Sequence, residues 1–301
     1  MTRWSELILY VDRAVIVLNK PPGLVTQHSE IPSVIQDLQR RLQLPQPPLG
    51  VHRLDKATTG ALVLARSKRF ASDFHTQFKQ RDVHKTYLAL VRAGRQSFEQ
   101  TSGTIRVPIV YKDGHATATQ KLLPGADNEA REALTGWELV ASSPHLPLSL
   151  LRLKLITGNK HQLRVHLAHV LKTPILGDTV HSLKPPMDSI QRALLRLRPP
   201  PESDRMFLHA AQVSFFRYKP AGSHRRFRLR IGAPLPDDFH QLCKEARIPL
   251  SDEDVNGGLA VLTDGEYKQV PNGLIGSVDG QWMPDDSWIP KTGSPYEPRV
   301  I

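Results

Sequence analysis

Five consecutive apolar residues, Ala61-Leu62-Val63-Leu64-Ala65, constrain the fold more than any other feature of the chain. A strand without a polar position has to be buried on both faces, so it belongs inside a sheet and not at its edge. The next segment, Ser67 to Arg81, carries Phe70, Phe74 and Phe78 at i, i+4 and i+8. That spacing predicts a helix whose aromatic stripe faces a core.

Other strand-like runs lie at 7–11, 14–18, 86–91 and 207–216, at 227–231, and, with clear alternation, at 149–155. Weaker ones are expected at 104–110, 115–122 and 134–141. Asp12-Arg13 reads as a turn, and Asn19-Lys20-Pro21-Pro22-Gly23 as a fixed loop, because two prolines lack donors and Gly permits positive φ. Helical spacing recurs at 33–44, with Ser33 as N-cap, and at Leu163, Leu167, Val170 and Leu171, where Pro174 ends it. Residues 182–205 read as an insertion carrying a short basic helix from Ile190 to Leu197. Strands and helices without a βαβα rhythm predict an α+β fold with a largely antiparallel sheet. The expected organisation is one domain over 1–245 and an acidic Gly/Pro-containing appendage over 246–301.

Composition narrows the partners. The 301 residues carry a net charge of +11, unevenly spread. From Glu245 onward there are ten acidic and four basic residues, a net of −6, so residues 1–244 hold 36 basic and 19 acidic ones, a net of +17. Such a body attracts polyanions, since neutralising phosphates releases counterions. No run of about 18 apolar residues offers a membrane span. Met1 to Glu6 lead directly into a strand-like run, so no secretory or organelle presequence is expected. Cys243 is the sole cysteine, which rules out an internal disulfide and a Cys-cluster zinc site and points to a reducing compartment. No Gly-rich nucleotide fingerprint, P-loop or His-Glu-x-x-His pattern occurs. No nucleotide cofactor or metal is therefore expected.

Three constellations could carry chemistry. In His52-Arg53-Leu54-Asp55-Lys56-Ala57-Thr58-Thr59-Gly60, a carboxylate between Arg and Lys stands at the mouth of the buried strand. Asp55 could be a nucleophile kept ionised, or it could cap its own turn. In Thr157-Gly158-Asn159-Lys160-His161-Gln162-Leu163-Arg164-Val165-His166, a helix starting near His161 sets Arg164 beside the core face. There it could hold a carboxylate or serve as a surface residue. His161, His166 and His169 lack acidic or cysteine partners at ligand spacing, which argues against a metal. Tyr87, in Lys85-Thr86-Tyr87, is either a core residue or one whose ring stacks on a base and whose hydroxyl moves a proton.

Together with Asn19-Lys20-Pro21-Pro22-Gly23, Pro174-Ile175-Leu176-Gly177-Asp178 and Leu208-His209-Ala210, these blocks resemble, in order, the motifs of the RluA-type pseudouridine synthases. The resemblance covers residues 7 to about 243. It departs at His169-Val170-Leu171-Lys172-Thr173-Pro174, where the family has a shorter Gly-containing turn, and at His181, where a Tyr is common. The insertion and the tail lie outside it, and no small N-terminal RNA-binding module is expected before residue 7.

The resemblance implies the pseudouridine synthase fold, a long mixed sheet crossed by a basic cleft and flanked by helices, and a cofactor-free isomerase acting on RNA. Asp55 would be the nucleophile, attacking either the ribose C1′ or the uracil ring of a flipped uridine. Arg164 would pair with it, Tyr87 would pack on the uracil and assist proton removal, and Arg53 would fill the vacated stack. His52, Lys20, Lys85 and His161 would contact substrate. Ribosomal RNA, including a mitochondrial large-subunit RNA, is the expected substrate, with tRNA next. The expected protein is a monomer in the cytoplasm or the mitochondrial matrix. The competing readings are a non-catalytic RNA-binding protein on the same fold, which would tolerate a damaged Asp/Arg/Tyr set, and an N-glycoside hydrolase, which wants a second carboxylate.

Overall fold

In the computed structural model of the chain, which describes residues 7–26, 32–119, 130–182, 184–202, 204–222 and 225–283, β1 (Ile8–Val11) and β2 (Val15–Lys20) flank the turn expected at Asp12. The Asp12 carboxylate closes that turn. Its Oδ1 accepts the amides of Ala14 (2.7 Å) and Val15 (2.9 Å), and its Oδ2 accepts the Tyr10 hydroxyl (3.1 Å) and Arg217 Nε (2.7 Å). A fully buried carboxylate is tolerated because these donors replace its water.

Helix α1 (Pro32–Arg41) begins one residue before the Ser33 expected as its cap, followed by β3 (Leu49–Gly50) and β4 (Thr59–Ala65). Every residue of β4 is buried, as the apolar run requires. It pairs antiparallel with β2, Val17 opposite Val63, and with β3, Gly50 opposite Leu64. Helix α2 (Lys68–Lys79) is capped by Ser67, whose Oγ accepts the Phe70 amide at 3.4 Å. Of its aromatic stripe, Phe74 reaches deepest and meets the Phe215 ring edge-on, centroids 5.1 Å apart.

Two compact units emerge, Met1–Val83 with Gln212–Pro234 and Asn256–Ile301, and His84–Ala211 with Leu235–Val255. The second unit holds β5 (His84–Val91), β6 (Ser102–Arg106), β7 (Ile109–Lys112), β8 (His115–Ala118), β9 (Leu134–Ser142) and β10 (Ser149–Leu155). Strands β5, β10, β9 and β6 pair in that order, all antiparallel, and β7 pairs with β8. The single strand expected at 104–110 is two, because Pro108 between β6 and β7 has no amide for a ladder. The expected strand at 115–122 ends at Ala118, and residues 120–129 lie outside the described ones.

The helix expected at 163–171 is α3 (Gln162–Val165) continued by a π turn over His166–Val170, in which the Leu171 amide reaches back five residues to the His166 carbonyl. Lys172 then takes a left-handed conformation (φ 59°), at the point where the resemblance lacks its glycine. Helix α4 (Asp188–Arg196) carries the insertion. Its buried Ile190 and Ala193 share a core cluster with Phe239 and Leu242 of α5 (Asp237–Glu245). Arg92, just past β5, binds the Ser182 hydroxyl and the carbonyls of Lys184 and Pro185, tying the insertion down at its start.

Strand β11 (Leu208–Tyr218) enters the first unit at Gln212 and pairs antiparallel with β12 (Arg226–Gly232). After α5 and α6 (Asp252–Asn256) come β13 (Gly258–Thr263), β14 (Glu266–Gln269), β15 (Leu274–Ile275) and β16 (Gly280–Trp282). Residues 246–283 thus do more than append. β13 pairs with β12, and β16 pairs with β1, so the chain's end contributes to the first unit's sheet. The fold is α+β, and every strand pairing named here is antiparallel.

Candidate active site

Asp55 lies half-buried in the loop between β3 and β4, whose feet are held by the pairing of those two strands. Four hydrogen bonds and one buried side chain fix the loop further. Thr26 Oγ1 donates to the Leu54 carbonyl (2.8 Å) and accepts the Leu54 amide (3.3 Å). The Gly23 amide donates to the Lys56 carbonyl (3.0 Å), the Thr58 amide to the Asp55 carbonyl (3.0 Å), and Leu54 buries its side chain. A carboxylate on a loop so restrained has its direction set before any ligand arrives.

Two residues expected to touch substrate make structural contacts around this loop. Lys20 is 1% exposed, and its ammonium donates to the carbonyls of Pro21 (2.8 Å), Leu24 (2.9 Å) and Lys56 (2.9 Å). It clasps the Pro-Pro-Gly loop to the Asp55 loop. His52 Nε2 accepts the Val63 amide at 2.9 Å, which sets the tautomer with the proton on Nδ1, and its ring packs on Phe78 at 5.4 Å. Arg53 is exposed, as an intercalating or stacking residue has to be.

The second unit gathers Lys85, Tyr87, His161 and Arg164. Tyr87 is buried on β5 opposite Leu153 of β10. Lys85 is half-buried, and burial pulls its pKa down to about 8. Its Nζ lies 3.5 Å from where a Cβ on Gly158 would stand, so the glycine leaves room for the ammonium. Gln162 anchors the Thr157–Gln162 turn. Its Oε1 accepts from Thr157 Oγ1 (2.8 Å) and the Asn159 amide (3.1 Å), while its Nε2 donates to the Leu134 carbonyl and to Thr135 Oγ1, both at 3.0 Å. Thr135 Oγ1 lies 2.9 Å from His166 Nδ1, and His166 Nε2 lies 2.9 Å from the Val107 carbonyl, so both ring nitrogens are committed. Burial lowers the His166 pKa against the opposing Val107 bond, and the ring serves as a neutral strut.

Arg164, from the single turn of α3, makes a buried two-point ion pair. Its Nε meets Asp178 Oδ2 at 2.9 Å and its Nη2 meets Oδ1 at 2.8 Å. Oδ1 also accepts the amides of Val180 and His181, each at 3.0 Å. Burial alone would raise the Asp178 pKa; the hydrogen bond and charge of Arg164, with the two amides, outweigh it and hold the carboxyl below its ordinary range. Asp178 received no role from sequence reasoning, although it ends the quoted Pro174–Asp178 block; the signal was there, without a partner to read it against. His181, beside it, lies 3.3 Å through Nε2 from His161 Nδ1 and packs edge-on against His169. Burial, reinforced by Arg164, His161 and His169 and opposed by Asp178, lowers the His181 pKa to about 4. The insertion borders a cavity of about 640 Å³ whose wall includes Asp178 and Phe207.

Gly177 makes the Asp178 position possible. It has φ +82°, and an added Cβ would fall on the Arg205 carbonyl. Gly177→Ala is therefore expected to destabilise the protein by several kcal/mol, about 2–4, from conformational strain and backbone overlap. Thermal unfolding would check this, and an unchanged melting temperature would count against the rigidity of this turn.

The model of the RNA pseudouridylate synthase family matches residues 14–169, which span β2, the Asp55 loop, Tyr87 and Arg164. The chain is 33% identical over 249 residues to the ribosomal large subunit pseudouridine synthase D of Xanthomonas campestris, covering 80% of this chain and 69% of that one. It is 33% identical over 273 residues to the mitochondrial pseudouridylate synthase RPUSD4 of Xenopus tropicalis, covering 80% of each. The solved structure of human RNA pseudouridylate synthase domain containing 4 superposes with a TM-score of 0.63 at 29% identity, over 81% of this chain and 94% of that one. On these grounds the chain belongs to the RluA-type RNA pseudouridylate synthases, isomerases that act on RNA.

Proposed function

We propose that Asp55 is the nucleophile of this synthase and that its substrate is a ribosomal RNA. The observation that carries the first part is the restraint of the Asp55 loop by Lys20, Thr26 and His52, which supports a carboxylate held ready and exceeds what a mere turn cap needs. The target uridine leaves its stack at a cost of a few kcal/mol, and Arg53 fills the vacated space. Asp55 attacks the nucleotide at C1′ or at the uracil ring, the N1–C1′ bond breaks, the uracil turns, C5 bonds to C1′, and the bond to Asp55 breaks to return the free carboxylate. A proton lost from C5 is balanced by one gained at N1, so no oxidant, reductant or activated donor is consumed. Arg164 and Tyr87 take the roles the resemblance gives them, charge partner and proton-transfer or packing residue. Lys85 and His161 contact the RNA.

Ribosomal RNA comes first because one similar protein is named for the large ribosomal subunit, with tRNA second; the name of the mitochondrial relative supports the mitochondrial matrix as the compartment. The protein is proposed to act as a monomer. Pseudouridine mapping by carbodiimide-dependent reverse-transcription stops, on total RNA from cells with and without the protein, tests this reading. Loss of one stop in rRNA on deletion is expected. A lost stop in tRNA alone would overturn the rRNA assignment. An unchanged map with the protein expressed would favour RNA binding without catalysis.

A further inference from the structure

Residues 212–234 contain six Arg or Lys and no Asp or Glu, and they form β11 from Gln212 onward, β12 and their connection. Along β12, Arg226, Arg228 and Arg230 alternate with Phe227, Leu229 and Ile231, so the three arginines share one face. Register places Phe216 opposite Arg228, Tyr218 opposite Arg226 and Ser214 opposite Arg230 on that face. It is the face turned away from Phe215, which packs on Phe74 of α2.

The guanidinium groups there are ordered by aromatic planes. The Arg226 and Arg228 Cζ atoms lie over the Phe216 ring, 3.5 and 4.1 Å from its centroid, and the Arg230 Cζ lies 4.2 Å over the Tyr267 ring of β14. Tyr267 is itself fixed by a 2.7 Å hydrogen bond between its hydroxyl and Ser214. Arg228 is nearly buried and donates to the Asp82 carbonyl at 2.7 Å, while the Arg226 side chain is 50% exposed. Asp82 answers both Arg226 and Arg228, at 3.0 and 3.9 Å, one carboxylate shared by two guanidinium groups.

We propose that this face is a phosphate-binding platform for the RNA substrate, additional to the groups that hold the reacting uridine. Arg226 and Arg230 are its phosphate-binding forks; Arg228 positions Arg226 through the shared Phe216 ring, and Tyr267 positions Arg230. The proposal rests on the reading of the protein as an RNA enzyme. A guanidinium stacked on a ring has lost rotamer freedom already and presents a planar fork that matches phosphate oxygens. Arg226 and Arg230 are four residues apart on one strand, roughly 13 Å, far enough to take different phosphates of one backbone. A protein partner is less well matched, because the rings that would anchor it are covered by cations.

The test is the salt dependence of RNA binding, measured with the full chain and a folded tRNA transcript. Each phosphate contact contributes about 0.7–0.9 to the slope of log Kobs against log[salt], so Arg226→Gln with Arg230→Gln should flatten it by about 1.4–1.8, or roughly 25- to 60-fold over a decade of salt. The pair Arg226→Lys with Arg230→Lys should recover most of the slope, since charge remains, at lower affinity, since the fork is lost. A melting curve shows whether the Gln pair is folded; Arg230→Gln alone, which leaves the Asp82 pairs intact, should flatten the slope by about 0.7–0.9. An unchanged slope in the folded Gln variants would overturn the proposal, as would a Lys pair no better than the Gln pair. Failure of the functional reading looks different: a wild-type protein that forms no pseudouridine, with the slope still flattened by the Gln pair, removes the proposed reaction and leaves the platform standing.

Discussion

Asp55→Asn is expected to abolish pseudouridine formation, by a factor on the order of 10⁴–10⁶, while RNA affinity stays within a few-fold. The substitution keeps the size of the side chain and removes the charge that makes it a nucleophile. Several ties of the loop are independent of the carboxylate: Thr26 on Leu54, Gly23 and Lys20 on the Lys56 carbonyl, and His52 on the Val63 amide, and the isosteric amide keeps the side chain's hydrogen-bonding oxygen. The variant should therefore fold as the parent does. Affinity should survive because phosphate contacts dominate it, and one lost negative charge makes binding slightly tighter if it changes it at all. Mapping with the purified variant on the identified RNA, beside a filter-binding titration, reads both quantities. Turnover within ten-fold of the parent would remove Asp55 from the chemistry.

Asp178→Ala is expected to be the most damaging single change in the second unit. It leaves Arg164 buried without the carboxylate that now meets it at 2.8 and 2.9 Å, and it orphans the amides of Val180 and His181. Breaking such a pair from one side costs about 3–5 kcal/mol. Activity at temperatures where the variant is folded should fall about 100-fold, because Arg164 loses its rotamer and a displacement near 1 Å suffices for that. The pH dependence gives a second readout. The folded pKa of Asp178 is depressed, so its contribution is complete above the unfolded carboxyl's value of about 3.9 and is lost as pH falls through the lowered folded value. The variant should lack that acid-side contribution, so its stability deficit should be largest near neutrality and shrink at low pH. A melting temperature within a degree or two of the parent at pH 7 would show that the pair is dispensable. Arg164→Lys, which keeps charge and loses the two-point fork, should fall between parent and Asp178→Ala in stability.

Several elements were legible without coordinates because their signals are local. The all-apolar run at 61–65 declared a buried strand, and the Phe70, Phe74, Phe78 spacing declared α2 with a stripe toward the core. The Asp12 turn and the Pro-Pro-Gly stop were readable from residue type. Less legible was residue 246 onward, where short, partly exposed strands such as β14 and β15 have no continuous apolar pattern, because only some of their positions meet the first unit's core. The 104–110 run shows the converse, an apolar stretch split by the missing amide of Pro108.

Among the site residues, the sequence alone determined which chemistry is present: a carboxylate in a fixed loop before a buried strand, an arginine at a helix start, a tyrosine on a strand, and a basic body suited to RNA. Only the tertiary structure decided what each residue is bound to. Lys20 and His52, expected at the substrate, are bound within the loop region that carries Asp55, and Asp178 holds Arg164. The physical reason is that residue type fixes what a side chain can donate or accept, whereas burial and the partner within 3 Å decide whether that capacity is spent inside the protein or kept for a ligand. Lys20 and the Lys56 carbonyl are 36 positions apart, and Arg164 and Asp178 are separated by a helix turn, a π turn and a glycine at φ +82°. No local pattern encodes such meetings; they exist once the strands are paired and the core is closed.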